Sequence, residues 1–184
     1  FIRDNGACYI FYDDNQTIFT KEDRLPIIDL VDDPGRTDRI FHLRDNLRNT
    51  RNIHHFAVER SGKGTTARSF DIPGIDPEVI DIKGDKAARA HVGELLERII
   101  ELHGVDKEKV IILSNRSMDN SIFAEESKAG KYTLVKTGKG SKANNIRFRT
   151  IQQFKGLESD VVVLIIHRRM EDKVEDRHLA EELL

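Results

Sequence analysis

An α/β domain with a mostly parallel sheet flanked by helices is predicted by three features of this sequence. Short apolar runs alternate with helical stretches, residues 161–166 are six apolar residues with no polar alternation, and residues 92–100 carry an apolar stripe at helical spacing. Alternating strands and helices favour units whose strands lie parallel. A strand apolar on both sides is expected to be covered on both faces.

The elements follow in order. Residues 7–12 form a short apolar and aromatic run closed by Asp13-Asp14-Asn15, the pattern of a buried strand delivering polar groups at its C-terminal end, where parallel sheets place ligands. Residues 21–39 are a connection with a turn at Asp33-Pro34-Gly35, and a new strand at 39–43 opens the main domain. Residues 45–58 are a loop leading into a helix, with Ile53, Phe56 and Ala57 spaced to face a core, and the Ser-, Gly-, Thr- and Arg-rich stretch 59–71 is a loop. Asp85 is the expected N-cap of a helix running to His103, with Val92, Leu95, Leu96, Ile99 and Ile100 as its stripe and Gly104 as its stop. Residues 110–113 are a buried strand ending in Ser114-Asn115-Arg116, a second polar delivery point. Residues 132–135 and 146–151 are expected to pair across a basic Gly-Lys-Gly-Ser segment. A last helix, 171–184, carries Val174, His178, Leu179, Leu183 and Leu184.

A chain of 184 residues, 38% hydrophobic, can bury one core, or one domain plus the trailing edge of another. It begins with Phe and stops in a helical stretch, so a piece of a longer protein is expected. No run of 18 apolar residues and no leader-like start is present, which predicts a cytoplasmic segment without a membrane partner. The single cysteine, Cys8, lies in an apolar run and is expected to be a buried inert thiol. The net charge of -2 excludes a bulk polyanion binder. Its distribution differs from its sum: Lys136, Lys139, Lys142, Arg147, Arg149 and Lys155 lie in a stretch with no acid, while acids crowd the region after Glu171. Either the stretch is a solvated hairpin with chance clustering, or it contacts a phosphate backbone and gives salt-sensitive binding.

The run Thr150-Ile-Gln-Gln-Phe-Lys-Gly-Leu-Glu158 lies between two strand-like segments. A hydroxyl, two amides (Gln152, Gln153) and Lys155 suit phosphate oxygens, Glu158 suits sugar hydroxyls, and Gly156 permits a tight loop between them. Phe154 and Leu157 are also expected to plug the core beside the strand. The run resembles motif V of the UvrD/Rep-type superfamily I helicases, commonly Thr-x-His-x-x-Lys-Gly-Leu-Glu, with Gln152 in place of the histidine.

Two other runs resemble the same family in the expected order. Phe11-Tyr-Asp-Asp-Asn-Gln-Thr-Ile-Phe19 is similar to motif III, with Tyr12 in place of a glycine; the resemblance makes Gln16 a γ-phosphate sensor and Phe19 an aromatic near single-stranded bases. For Asp13 and Asp14 themselves, a local turn is the simpler reading than a metal site. Phe41-His-Leu-Arg-Asp-Asn-Leu-Arg-Asn-Thr-Arg-Asn-Ile53 is similar to motif IV. There Arg48 matches the arginine that reaches the nucleotide phosphates, a task for a permanently charged planar fork, and Asn46 fixes the loop.

The resemblance implies a RecA-like fold of the P-loop NTPase type, with residues 1–35 as the tail of a first RecA-like domain and 36–184 as a second, cut before motif VI. It implies catalytic roles for Gln16 and Arg48, ATP binding by Gln16, Arg48, Gly156 and Glu158, and nucleic-acid binding by Phe19, Thr150, Gln152, Gln153 and Lys155. ATP and Mg2+ are the implied cofactors of the full-length protein, held largely by upstream residues, so this piece alone is expected to be inactive. Its implied partners are single-stranded nucleic acid, DNA before RNA, and the missing first domain. The alternative is a non-catalytic nucleic-acid-binding scaffold with a degenerate helicase fold. Ser61-Gly-Lys-Gly-Thr-Thr66 and Thr137-Gly-Lys-Gly-Ser141 lack the spacing that wraps amides around a β-phosphate. His54 and His55 are adjacent, which does not suit zinc.

Overall fold

A computed structural model describes residues 45–61, 68–69, 71–136 and 144–167. The expected strands at 7–12 and 39–43, the turn at 33–35, the helix at 171–184, Cys8 and the two Gly-Lys-Gly segments lie outside those residues. The chain divides into two compact units, Phe1–Glu78 with Asp172–Leu184, and Val79–Glu171.

The first unit contains β1 (Asp45–Asn46), α1 (Arg51–Ser61) and β2 (Arg68–Ser69), and β1 and β2 pair in parallel. Asn46 organises the entry to the helix. Its Oδ1 accepts from the main-chain N–H of Arg48 and of Asn49, each at 3.1 Å, the local turn that asparagine favours. Because Oδ1 is so used, Nδ2 donates to Nδ1 of His54 at 3.0 Å, which places the imidazole proton on Nε2. A polar partner lets His54 be buried, and it lines the inner face of α1 with Ala57, whereas Ile53 is 41% exposed. The expected triad of Ile53, Phe56 and Ala57 is corrected on this point. The helix also extends into the stretch expected as loop, ending at Ser61.

The second unit contains α2 (Asp85–Glu97), β3 (Val110–Ser114), β4 (Lys128–Ala129), β5 (Tyr132–Val135), β6 (Asn145–Thr150), α3 (Ile151–Phe154) and β7 (Val161–Ile165). One five-stranded sheet runs in the order β4-β5-β6-β3-β7. The pairs β5–β6, β6–β3 and β3–β7 are parallel and β4–β5 is antiparallel. The class is α/β as expected, but the sheet is mixed, which corrects the expectation of a mostly parallel one. The hairpin that makes it mixed turns at Gly130 and Lys131, with Gly130 at φ +59, as a two-residue turn with glycine first requires.

Each parallel strand follows from its composition. β3, Val-Ile-Ile-Leu-Ser, is buried at every position and sits between β6 and β7. β6 alternates: Ile146 and Phe148 are buried while Arg147 and Arg149 are half-buried. β5 and β6 pair as expected, but in parallel, so they are not a simple hairpin. β7 ends at Ile165 and is not covered on both faces, since Val162 is 41% exposed and, among the described residues, the strand pairs only with β3.

α2 packs Val92 and Leu96 into a core with Val110, Ile112, Phe123, Tyr132, Leu134, Ile146, Phe148 and Val163, and Leu95, Ile99 and Ile100 pack against it. Phe123 and Phe148 meet edge to face with centroids 6.1 Å apart, a favoured aromatic geometry. Asp85 is not the N-cap: Gly84 precedes the helix at φ +87 with no side-chain cap, and Asp85 is the first helical residue. Its carboxylate still suits the positive end of the helix dipole. After Glu97 the helix widens over Arg98–Leu102, where His103 N–H donates to Arg98 carbonyl at 3.1 Å, and Gly104 at φ +67 ends it. Gly93 lies against the hairpin turn; a Cβ there would stand 2.7 Å from the main-chain nitrogen of Gly130. No helix among the described residues is long and apolar enough to cross a membrane.

Candidate nucleic-acid and nucleotide interface

The run from Thr150 to Glu158 links the end of β6 to β7 by one short helix and one tight turn. Thr150 Oγ1 accepts from Gln153 N–H, and Gln153 Oε1 accepts from Thr150 N–H, both at 3.2 Å. This capping box starts α3. Both side chains assigned to nucleic acid are therefore already engaged locally, each retaining donors: the hydroxyl proton of Thr150 and the amide protons of Gln153. Arg149 Nη1 reaches the carbonyl of Gln153 at 3.4 Å. At the far end Leu157 N–H donates to Phe154 carbonyl at 2.9 Å, across Lys155 at φ -50 and ψ 129 and Gly156 at φ +78. That is a type II turn, whose third residue needs the left-handed conformation glycine supplies. Gln152, Gln153, Lys155, Gly156 and Glu158 are all exposed on this segment, and Thr150 is half-buried. Leu157 does not plug the core as expected, being 46% exposed, because the turn directs it outward; Phe154 is half-buried.

The loop is tied at its exit. Ser159 Oγ donates to the carbonyl of Lys109 at 2.7 Å and Lys109 Nζ pairs with Asp160 at 3.0 Å. That ion pair, through its hydrogen bond first, raises the Lys109 ammonium above its usual range.

Thr150 stands in a row with residues of the neighbouring strands: it lies opposite Ser114 of β3, and Ser114 lies opposite Ile165 of β7. The C-terminal ends of three parallel strands thus finish together, the place where open α/β sheets take ligands. Ser114 is buried and its Oγ accepts from Arg116 N–H at 3.1 Å. Asn115 accepts from His167 N–H at 3.0 Å through Oδ1 and donates to His167 carbonyl at 3.2 Å through Nδ2. Burial first, and then the Arg116 guanidinium, hold the His167 imidazole below its usual range, while Asp85 pulls the other way. The polar triplet after β3 was legible in the sequence; His167 was not singled out. Its signal is the same, a polar residue directly after an apolar run.

The other assigned residues are distributed differently. Arg48 is exposed on the loop that Asn46 organises ahead of α1, so Asn46 fixes that loop as expected. Gln16 and Phe19 lie outside the described residues, as do Lys139 and Lys142. Within the basic stretch, Lys136 pairs with Asp119 at 2.5 Å and Arg147 donates to the carbonyl of Glu108, so part of that charge is spent internally. Among the described residues no group of three metal-ligating side chains converges.

No family model, curated protein or solved structure matches the chain.

Proposed function

We propose that this chain is the second motor domain, with the tail of the first, of a UvrD/Rep-type superfamily I helicase that couples ATP hydrolysis to movement along single-stranded nucleic acid. The observation that carries the reading is the Thr150–Glu158 segment: a strand end, a capped turn of helix and a glycine turn that expose amides, a lysine and a carboxylate at the C-terminal end of aligned parallel strands. Its order after the runs around Gln16 and Arg48 adds support. A RecA-like arrangement and a cytoplasmic location belong to the same proposal.

In this reading Thr150, Gln152, Gln153 and Lys155 follow the phosphodiester backbone, and Phe19 stacks on a base. Glu158 accepts from the ATP ribose and Gly156 lets the loop turn beneath it. Arg48 and Gln16 act on the γ-phosphate: the guanidinium stabilises charge on the transferring group, and the amide orients the attacking water. Mg2+ would be held with ATP by upstream residues and would screen the phosphate charge.

Fluorescence anisotropy with a labelled single-stranded DNA oligonucleotide tests the binding half. Affinity should fall steeply as salt rises, and Lys155→Gln should weaken it at every salt concentration. A flat salt response would remove the support for phosphate contact. For the motor half, Arg48→Ala in the full-length protein should sharply lower nucleic-acid-stimulated ATP hydrolysis with folding intact; unchanged turnover would sink that assignment.

A further inference from the structure

His167 and Arg116 form a corner that the proposed motor reading does not use. Asn115 grips the main chain of His167 by both its N–H and its carbonyl, so the residue after β7 is fixed beside the residue after β3. The His167 ring nitrogen Nε2 is shielded from solvent and has no hydrogen-bond partner. Arg116 is half-buried, and only its main chain is hydrogen-bonded, to Ser114. A shielded ring nitrogen without a partner is uncommon in folded proteins and calls for a reason. Here it lies beside a half-buried cation at the ligand-bearing end of a parallel sheet.

We propose that Arg116 and His167 form an oxyanion site for a phosphate-class ligand, with the Arg116 guanidinium and the His167 Nε2–H as its two donors. A planar fork and a ring N–H are both suited to tetrahedral oxyanions. The groups facing His167 are Arg116 from the end of β3 and Asp85 from the start of α2. Arg116 disfavours a proton on the ring until an anion offsets its charge, and Asp85 limits how much negative charge the corner accepts. Anion binding should therefore draw a proton onto the ring.

The test follows the His167 ring protons by NMR across pH, assigned by their absence in His167→Gln, with sulfate as a probe that does not itself titrate in this range. Sulfate should raise the His167 midpoint by about one unit, the scale set by a neighbouring opposite charge. Arg116→Gln should raise the anion-free midpoint and abolish the sulfate response. No sulfate shift in the unmodified chain overturns the site, and a shift that persists in Arg116→Gln overturns the pairing. At matched ionic strength, ATP and a single-stranded oligonucleotide are then compared with sulfate. A shift with either one identifies the source of the phosphate, and a shift with neither means an adventitious ion only, which rejects a functional site. Oligonucleotide binding that depends on Lys155 while His167 is unmoved would leave the motor reading standing and this one refuted.

Discussion

Thr150 and Gln153 each use a side chain on the other's main chain, at the same distance of 3.2 Å. The two residues that the helicase resemblance gives to nucleic acid are thus also the pair that starts α3. Any substitution there acts on folding and binding together unless it is chosen to separate them.

Gln153→Glu separates them. A glutamate in that position preserves a capping box, so urea unfolding should be unchanged. The added negative charge on an exposed segment should repel a phosphodiester backbone, and oligonucleotide affinity should fall in anisotropy. Equal affinity for the two proteins would take Gln153 out of the interface.

Thr150→Ala removes the cap acceptor and should lower stability by about 0.5–2 kcal/mol. Thr150→Ser keeps the hydroxyl and should recover most of that loss. Chemical denaturation of the three proteins gives the comparison, and a Ser variant as weak as the Ala variant would show that the threonine methyl, not the oxygen, matters.

Gly156 and Gly93 are required for different reasons, and alanine distinguishes them. A Cβ on Gly156 meets nothing within 4 Å, but the residue sits at φ +78, so Gly156→Ala should cost about 1–2 kcal/mol of backbone strain, and Gly156→Asn less. Gly93 is helical, and its Cβ would press on the Gly130 main chain at 2.7 Å, so Gly93→Ala should cost about 1–3 kcal/mol through overpacking. Asparagine should relieve the first position and worsen the second.

Stability should respond to pH through Glu101. Lys131, and then the buried Tyr132 hydroxyl at 3.0 Å, hold the Glu101 carboxyl below its ordinary value of 4.5. A depressed carboxyl stabilises the fold above its unfolded value and loses that contribution as pH falls through the folded value. The gap between the unmodified chain and Glu101→Gln should be constant from neutral pH down to pH ~5 and should close below about pH 4. The partner obeys the opposite rule: Lys131 is raised above 10.5, mainly by Glu101, so its share persists until alkaline pH. Unfolding midpoints measured against pH would show both edges.

Legibility in the sequence followed how local the determinant was. β3 and β7 were marked by unbroken apolar runs and β5 by its aromatic and β-branched residues, and each of these starts where expected. The direction of β5 against β6 was not marked, because pairing partners share composition whichever way they run. His54 replaced Ile53 on the inner face because Asn46, eight residues earlier, supplies the partner that makes burial of a histidine affordable. Gly84 displaced Asp85 as the residue ahead of α2 through a positive φ, which residue type only permits. In the candidate site, the exposed amides and the glycine turn were legible as a motif. The capping box is spelled in Thr150 and Gln153, yet its use of both side chains depends on α3 forming at all. The link from Asn115 to His167 joins distant parts of the chain, and nothing local announces it.

β3 is the middle of the sheet, but both of its neighbours, β6 and β7, come later in the chain. During synthesis the run Val-Ile-Ile-Leu emerges with two open edges and must wait for strands separated from it by the whole β4–β5 hairpin. Such non-local pairing slows folding, and an unpaired apolar strand is a template for joining another chain. A nascent chain halted before residue 145 would thus expose its most buried segment, making ribosome-bound chaperone capture there more probable than at any later point.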